Sequence, residues 1–345
     1  MTQINLDTIS EEELLNTRIR DLSLQIEGTW LKDCVQKLYQ ELEVKGLIFK
    51  PVCYLADEWL TPEFHPVIGI PFYLAHPTLT KLEKKMMLEA EGETPEWCMK
   101  LLRHETGHAL SYAYRLYKKT KWKKLFGSAS EEYPDTYRFR PYSKSFVRHL
   151  DGFYAQYHPD EDFVETFAVW LTPQLDWQKQ YRGWKAFEKL RYVDKLMTEI
   201  KGKPPLVKTG RKYWHFKTAK TTLKNFYKKK LRYSAEDFPQ FHDANLKSIF
   251  KEKDENNHAF LGAADIIRTH KEMIINNIAL CTGERKYIIH DLVTKIMKRC
   301  QDLQLGTYES AAVVLLRITA YTTTLVMNYV YTGWYRGDKS KKRIK

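Results

Sequence analysis

The sequence predicts an α+β fold, a small mixed sheet set among helices and followed by an all-helical C-terminal region. Three observations carry that expectation. Residues 46–79, "GLIFKPVCYLADEWLTPEFHPVIGIPFYLAHPTL", are rich in β-branched and aromatic side chains and cut by prolines, as short strands joined by loops are. Segments with helical spacing and recognisable start and stop residues stand on both sides of them. Beyond about Ser234, three helical patterns at 258–281, 284–303 and 308–331 fill the rest.

Taken in order, Ser10 is suited to cap a helix that opens with "EEELL" and runs to about Glu43. After the strand region, helix returns from Leu79 to Ala90. In "GETPEW", Thr94 supplies a cap and Pro95 fits the first helical position, so a helix from there to about Lys119 is expected, with only Gly107 against it. Residues 126–145 read as loop. Helix is expected again over Phe146–Tyr157 and Pro159–Leu171, the latter stopped by Thr172 and Pro173.

With 345 residues, 43% of them hydrophobic and 14% aromatic, the chain buries a core, which excludes a disordered protein and predicts a main domain with an accessory piece. We place the main domain at 1–205, a basic linker at 206–235, a helical domain at 236–335 and a basic tail at 336–345. A net charge of +13 points to an anionic partner or surface without selecting one. The opening residues lack a basic leader with an apolar core, and the five cysteines are scattered without paired spacing. Both features predict a cytoplasmic protein with free thiols and no cysteine zinc site. Residues 311–331 are long enough to span a membrane, but Arg317 and a run of threonines predict a buried helix instead.

The chemistry concentrates in "KLLRHETGHALSYAY", residues 100–114. On a helix, His104 and His108 share a face and can direct two imidazoles at one metal ion. Glu105, about 100° round, can reach a metal-bound water as a general base. Gly107 costs about 1 kcal/mol against Ala, which implies a packing or site reason for it. A histidine third ligand six residues on is excluded, because Ser111 and Tyr114 stand where Gly and His are needed. The segment "HPDEDFVETFAVWL", residues 158–171, offers a carboxylate: Glu161, Asp162 and Glu165 point to a similar side. Like charges at that spacing repel unless a cation lies between them. Glu165, a full turn into the helix among packing residues, is the expected third ligand, with Asp162 or Glu161 orienting a histidine. Asp160 and Glu161 also suit the positive end of the helix dipole.

These same stretches, "RHETGHAL", "IPFYLAHP" and "HPDEDFVETFAVWLTP", resemble a bacterial family of zinc-binding metallopeptidases in the gluzincin branch of the zincins. The resemblance implies a zincin-like catalytic domain with one Zn2+, His104, His108 and Glu165 as ligands, and Glu105 as base. It also implies hydrolysis of a peptide or amide bond in a peptide or protein substrate. The chain departs from better-known branches: it lacks the G-x-M-E-N stretch of zinc aminopeptidases, and Val169 stands four after Glu165 where thermolysin-like enzymes have Asp.

An oxyanion donor is expected from Tyr154, Tyr157 or His158, just before the glutamate helix. Residues 67–76 could form an edge strand on which an extended peptide pairs. Residues 208–232 mix cations with Tyr213, Trp214, Phe216, Phe226 and Tyr227. They form either a solvated basic face with its rings turned inward or a nucleic-acid surface. A catalytically silent zinc module is the other alternative to a hydrolase.

Overall fold

The computed structural model describes residues 4–134, 139–231, 242–252 and 260–332. These divide into two compact units, one reaching Lys229 and the other beginning at Lys230. The expected basic tail at 336–345 lies outside the described residues. The fold is mixed α and β, with helix predominating.

Unit 1 begins with α1 (Glu11–Asn16), closed by a reciprocal capping box between Ser10 and Glu13. The expected helix to Glu43 is broken: a second helix, α2 (Trp30–Val44), starts only after an irregular stretch. Its backbone is committed elsewhere, because the amides of Ile19 and Arg20 donate to the carbonyls of Thr221 and Ala219. Strands β1 (Val52–Ala56) and β2 (Val67–Pro71) pair in parallel, Val52 opposite Val67. β2 is buried along its whole length, and Gly69 exchanges backbone hydrogen bonds with Leu60 on the side away from β1. The expectation of a free edge at 67–76 for a substrate peptide is therefore corrected. A short 3-10 turn follows over Phe72–Ala75.

Next come α3 (Pro77–Met87), α4 (Pro95–Ala113), α5 (Thr120–Phe126), α6 (Pro159–Leu171), α7 (Trp177–Gln180) and α8 (Ala186–Ile200). Thr94 caps α4 by accepting the Trp97 amide, as expected, but α4 stops at Ala113 because Arg115 adopts a left-handed φ of 51°. The helix expected at 146–157 is absent apart from one 3-10 turn at Tyr154–Gln156. Gly152 and Phe153 have positive φ, and the amide of Leu150 is drawn instead to the Glu165 carboxylate. α8 packs on α6 and carries the buried Lys189.

Through Lys229 the basic segment is part of unit 1 rather than a linker, and its residues 232–235 lie outside the described residues. It runs over unit 1 as a strap ending in α9 (Leu223–Leu231), with Phe216, Leu223 and Tyr227 buried.

Unit 2 corrects the all-helical expectation. Its helices α10 (Asp243–Ile249), α11 (Ala263–Thr269), α12 (Lys271–Thr282), α13 (Lys286–Asp302) and α14 (Ala311–Thr332) are joined by a small antiparallel sheet. In that sheet β5 (Leu305–Thr307) lies between β3 (Lys251–Glu252) and β4 (Leu261–Gly262). By length and composition α14 could cross a membrane. Here its Val314, Ile318, Leu325 and Val326 join Ile278, Ile289 and Ile296 in the core of unit 2.

Candidate metal centre

Two crossing helices build the site. α4 places His104 and His108 on one face, and α6 lies against it at Gly107. A Cβ at Gly107 would stand 2.8 Å from the Cβ of Val164 and 2.9 Å from its Cα, so only glycine lets these backbones approach so closely. This is the packing reason that its helix cost implies. Nearby, Arg103 turns away to a bidentate ion pair with Glu41 of α2, both contacts 2.8 Å, which leaves neither charge unpaired in the interior.

The two imidazoles are each held at one nitrogen and face a shared point with the other. Nδ1–H of His104 donates to Oε1 of Glu165 at 2.8 Å, and Nδ1–H of His108 to Oδ2 of Asp160 at 3.1 Å. Their Nε2 atoms lie 3.2 and 3.4 Å from Oε2 of Glu161. All three side chains are buried, and their ligand atoms fall within 4.8 Å of one another. Zinc bound at about 2.0–2.1 Å in a tetrahedron needs ligand atoms about 3.4 Å apart, the spacing of both Glu161 contacts. Moreover, Oε2 of Glu161 is buried without an aligned hydrogen-bond donor, an expensive state for a carboxylate oxygen unless a cation takes it. The residues present thus fit a divalent metal with an N, N, O donor set.

The orienting groups are themselves anchored. Glu165 receives the Leu150 amide on Oε2 at 2.8 Å, and Asp160 receives the Tyr112 hydroxyl at 2.7 Å. The Tyr133 hydroxyl donates to Oε1 of Glu161 at 2.9 Å and leaves Oε2 directed at the histidines. Glu105 is buried, and its Oε2 has no hydrogen-bond partner.

Electrostatics follow from the crowding of carboxylates. Burial alone would lower the His104 pKa, but Glu161 and Glu165 raise it to about 10. His108 is opposed by burial in the same way and lifted well above its ordinary value by Glu161 and Asp160. Burial would raise Glu161, yet the two imidazolium charges pull it far below the usual carboxylate range. Glu105 is pushed up by burial, with His104 and His108 opposing. In the metal-free protein, protons therefore occupy the imidazoles.

The geometry brings His104, His108 and Glu105 together but places the two glutamates differently from the expectation. Glu165, the expected third ligand, grips Nδ1 of His104 instead, and Glu161 reaches the shared point. Asp162, expected beside the histidines, faces the other way and pairs with Lys189 of α8 at 2.5 Å. Of the donor candidates, His158 is spent as the cap of α6: Nδ1 accepts the Asp160 amide and Nε2–H donates to the Glu131 carbonyl. Tyr157 donates to the Pro134 carbonyl. Tyr154 remains, its ring 5.6 Å from that of His104 and its hydroxyl without a hydrogen-bond partner among the described residues. Burial and the charges of Glu161 and Glu105 keep its phenol protonated.

Sequence reasoning gave Asp160 to the helix dipole alone and missed Tyr112 and Tyr133. The spacing His104, His108, Tyr112 was a usable signal, since i, i+4 and i+8 place the hydroxyl on the histidine face. No family model, curated protein or solved structure matches the chain.

Proposed function

We propose that the protein is a zinc-dependent hydrolase of peptide or amide bonds. The reading rests on one observation: two buried imidazoles, each fixed at Nδ1 by a carboxylate, converge through Nε2 on an undonated glutamate oxygen at metal-ligand spacing. Such a set would suit zinc, which when bound would supply a Lewis acid and an acidified water. His104, His108 and Glu161 would hold the ion. Glu165 and Asp160 fix the imidazole tautomers and so the direction of the ligand lone pairs. Glu105, buried and unpartnered at Oε2, takes the proton of the attacking water and returns it to the departing nitrogen. Tyr154 supplies a hydroxyl donor to the carbonyl oxygen as it gains charge. The resemblance of "RHETGHAL" to zinc metallopeptidases supports the roles of His104, Glu105 and His108, whereas for the third ligand it implied Glu165.

The test pairs metal content with turnover. Elemental mass spectrometry of purified protein is expected to find one zinc per chain. Glu105→Gln is expected to keep it and to lose cleavage of a peptide library by at least about 100-fold. Zinc retained together with no cleavage by the native chain would leave a metal-binding module and overturn the hydrolase. Failure to take up any zinc would overturn the centre itself.

A further inference from the structure

Twelve of the 56 Lys and Arg lie in residues 201–232, a span without Asp or Glu, so this stretch carries all but one of the 13 net positive charges. Through Lys229 it belongs to unit 1, and its backbone is fastened there. The amides of Leu206 and Val207 donate to the Ala113 carbonyl at 2.9 and 3.0 Å, and that of Arg211 to Nδ1 of His65 at 3.2 Å. The Tyr54 hydroxyl donates to the Tyr213 carbonyl at 2.9 Å.

The structure also decides between the two readings of the rings in this span. Phe216 and Tyr227 turn inward, whereas Tyr213 and Trp214 stay out. Trp214 is 58% exposed and has a left-handed φ of 48°, a conformation a bulky residue adopts only when its surroundings impose it. Its ring lies 6.4 Å from that of Tyr213, over which the Arg211 guanidinium sits at 4.9 Å. Arg211, Lys212, Lys217, Lys220, Lys224 and Lys228 are exposed, and none forms an ion pair with a described carboxylate.

A merely solvated basic face explains the lysines but not an exposed indole beside an arginine-capped tyrosine. Lysines suit phosphates as point charges along a track, and planar faces suit unpaired bases, which a duplex hides and an acidic peptide lacks. We propose that the strap of residues 201–229 binds single-stranded nucleic acid, with lysines on the phosphates and Trp214 stacked on a base. The proposal is independent of the metal centre.

Fluorescence anisotropy of the full chain with a labelled oligothymidine of about 20 nucleotides tests it. Binding is expected to weaken steeply between about 50 and 200 mM salt. Trp214→Ala should weaken it about 5- to 100-fold, the loss of one stacked base. Lys224→Gln with Lys228→Gln should lower the log–log salt slope by about 1.4, or about 0.7 per lost phosphate contact. Circular dichroism would establish that each variant folds. Four results would each overturn the proposal. The first is no binding at low salt, and the second is equal affinity for a duplex of the same length. The third is displacement by poly-glutamate as effective as by unlabelled oligonucleotide, which would assign the strap to acidic proteins. The last is an unchanged affinity in a folded Trp214→Ala variant, which would leave a surface of charge alone.

Discussion

Gly107→Ala tests the link between helix crossing and metal binding with a single methyl group. The added Cβ would lie 2.8 Å from Val164 Cβ and 2.9 Å from Val164 Cα, where ordinary contact begins at 3.4 Å. Backbone cannot swing aside as a side chain can, so α4 and α6 must separate by about 0.6 Å. Overpacking of this kind costs about 1–3 kcal/mol, and alanine returns about 1 kcal/mol of helix propensity. The net loss of stability is then about 0–2 kcal/mol, which leaves the protein folded. The metal centre is less forgiving. His104 and His108 ride on α4 and Glu161 on α6, and metal–ligand distances hold to about 0.2 Å. A separation three times that size breaks the Glu161 bond, so zinc affinity is expected to fall at least about 10-fold, in the range reported for loss of supporting groups. Competition against a chromophoric chelator reads the affinity, and thermal unfolding of the metal-free protein reads the packing cost. A variant that loses stability yet binds zinc as tightly as the native chain would refute the reasoning, because the two helices would then not share an ion.

Other perturbations separate the roles within the site. Glu161→Ala is expected to abolish zinc retention, and Glu165→Ala to weaken it about 10- to 100-fold while leaving it measurable; the reverse order in a metal-content assay would restore Glu165 as ligand. Zinc uptake should strengthen with rising pH and release protons, because His104, raised to about 10, and His108, raised likewise, are protonated in the metal-free protein. Calorimetry in buffers of differing ionisation enthalpy counts those protons, and a buffer-independent heat would contradict the expectation. Since a raised histidine pKa contributes stability that is present below 6.5 and lost as pH climbs through about 10, the metal-free protein should melt earlier at pH 10 than at pH 7. Lys189→Met should destabilise the protein at pH 8, where Asp162 loses its cation and must take up a proton to stay buried. Burial raises Asp162 to about 7 despite Lys189, so the loss should shrink at pH 5; a pH-independent loss would assign Lys189 to packing alone.

How much of this was legible before the structure depended on the range of the forces involved. α6 was read at its observed bounds because Pro159 and the Thr172–Pro173 stop are local signals. The histidine pair was legible for the same reason, since i and i+4 share a face on any helix. The helix expected through residues 17–29 is interrupted where the amides of Ile19 and Arg20 bond to carbonyls some two hundred positions away, which no local pattern reports. The loop at 146–157 failed similarly: "FVRHL" has helical composition, yet Leu150 N–H serves Glu165 and His149 Nε2–H serves the Lys100 carbonyl. Tyr133 was out of reach because it arrives from a loop, stacked 3.8 Å over His158.

The exchange between Glu161 and Glu165 has a sharper cause. They lie only about 40° apart around the helix but just over one turn, about 6 Å, apart along it. An imidazole presents its two nitrogens on opposite sides, so carboxylates one turn apart can bracket a single ring. Glu165 takes Nδ1 of His104 at 2.8 Å and Glu161 meets Nε2 at 3.2 Å. The spacing that made the two acids interchangeable in sequence is thus what would let one helix both orient a histidine and complete the proposed metal set. Which acid does which is decided by how far α6 slides along α4. That offset is fixed where Gly107, between the two histidines in sequence, meets Val164, between the two glutamates. Glycine in H-E-T-G-H therefore carries positional information that the charges do not. A search for a third ligand from sequence should first ask which residue the glycine is making room for, and only then count carboxylates from there.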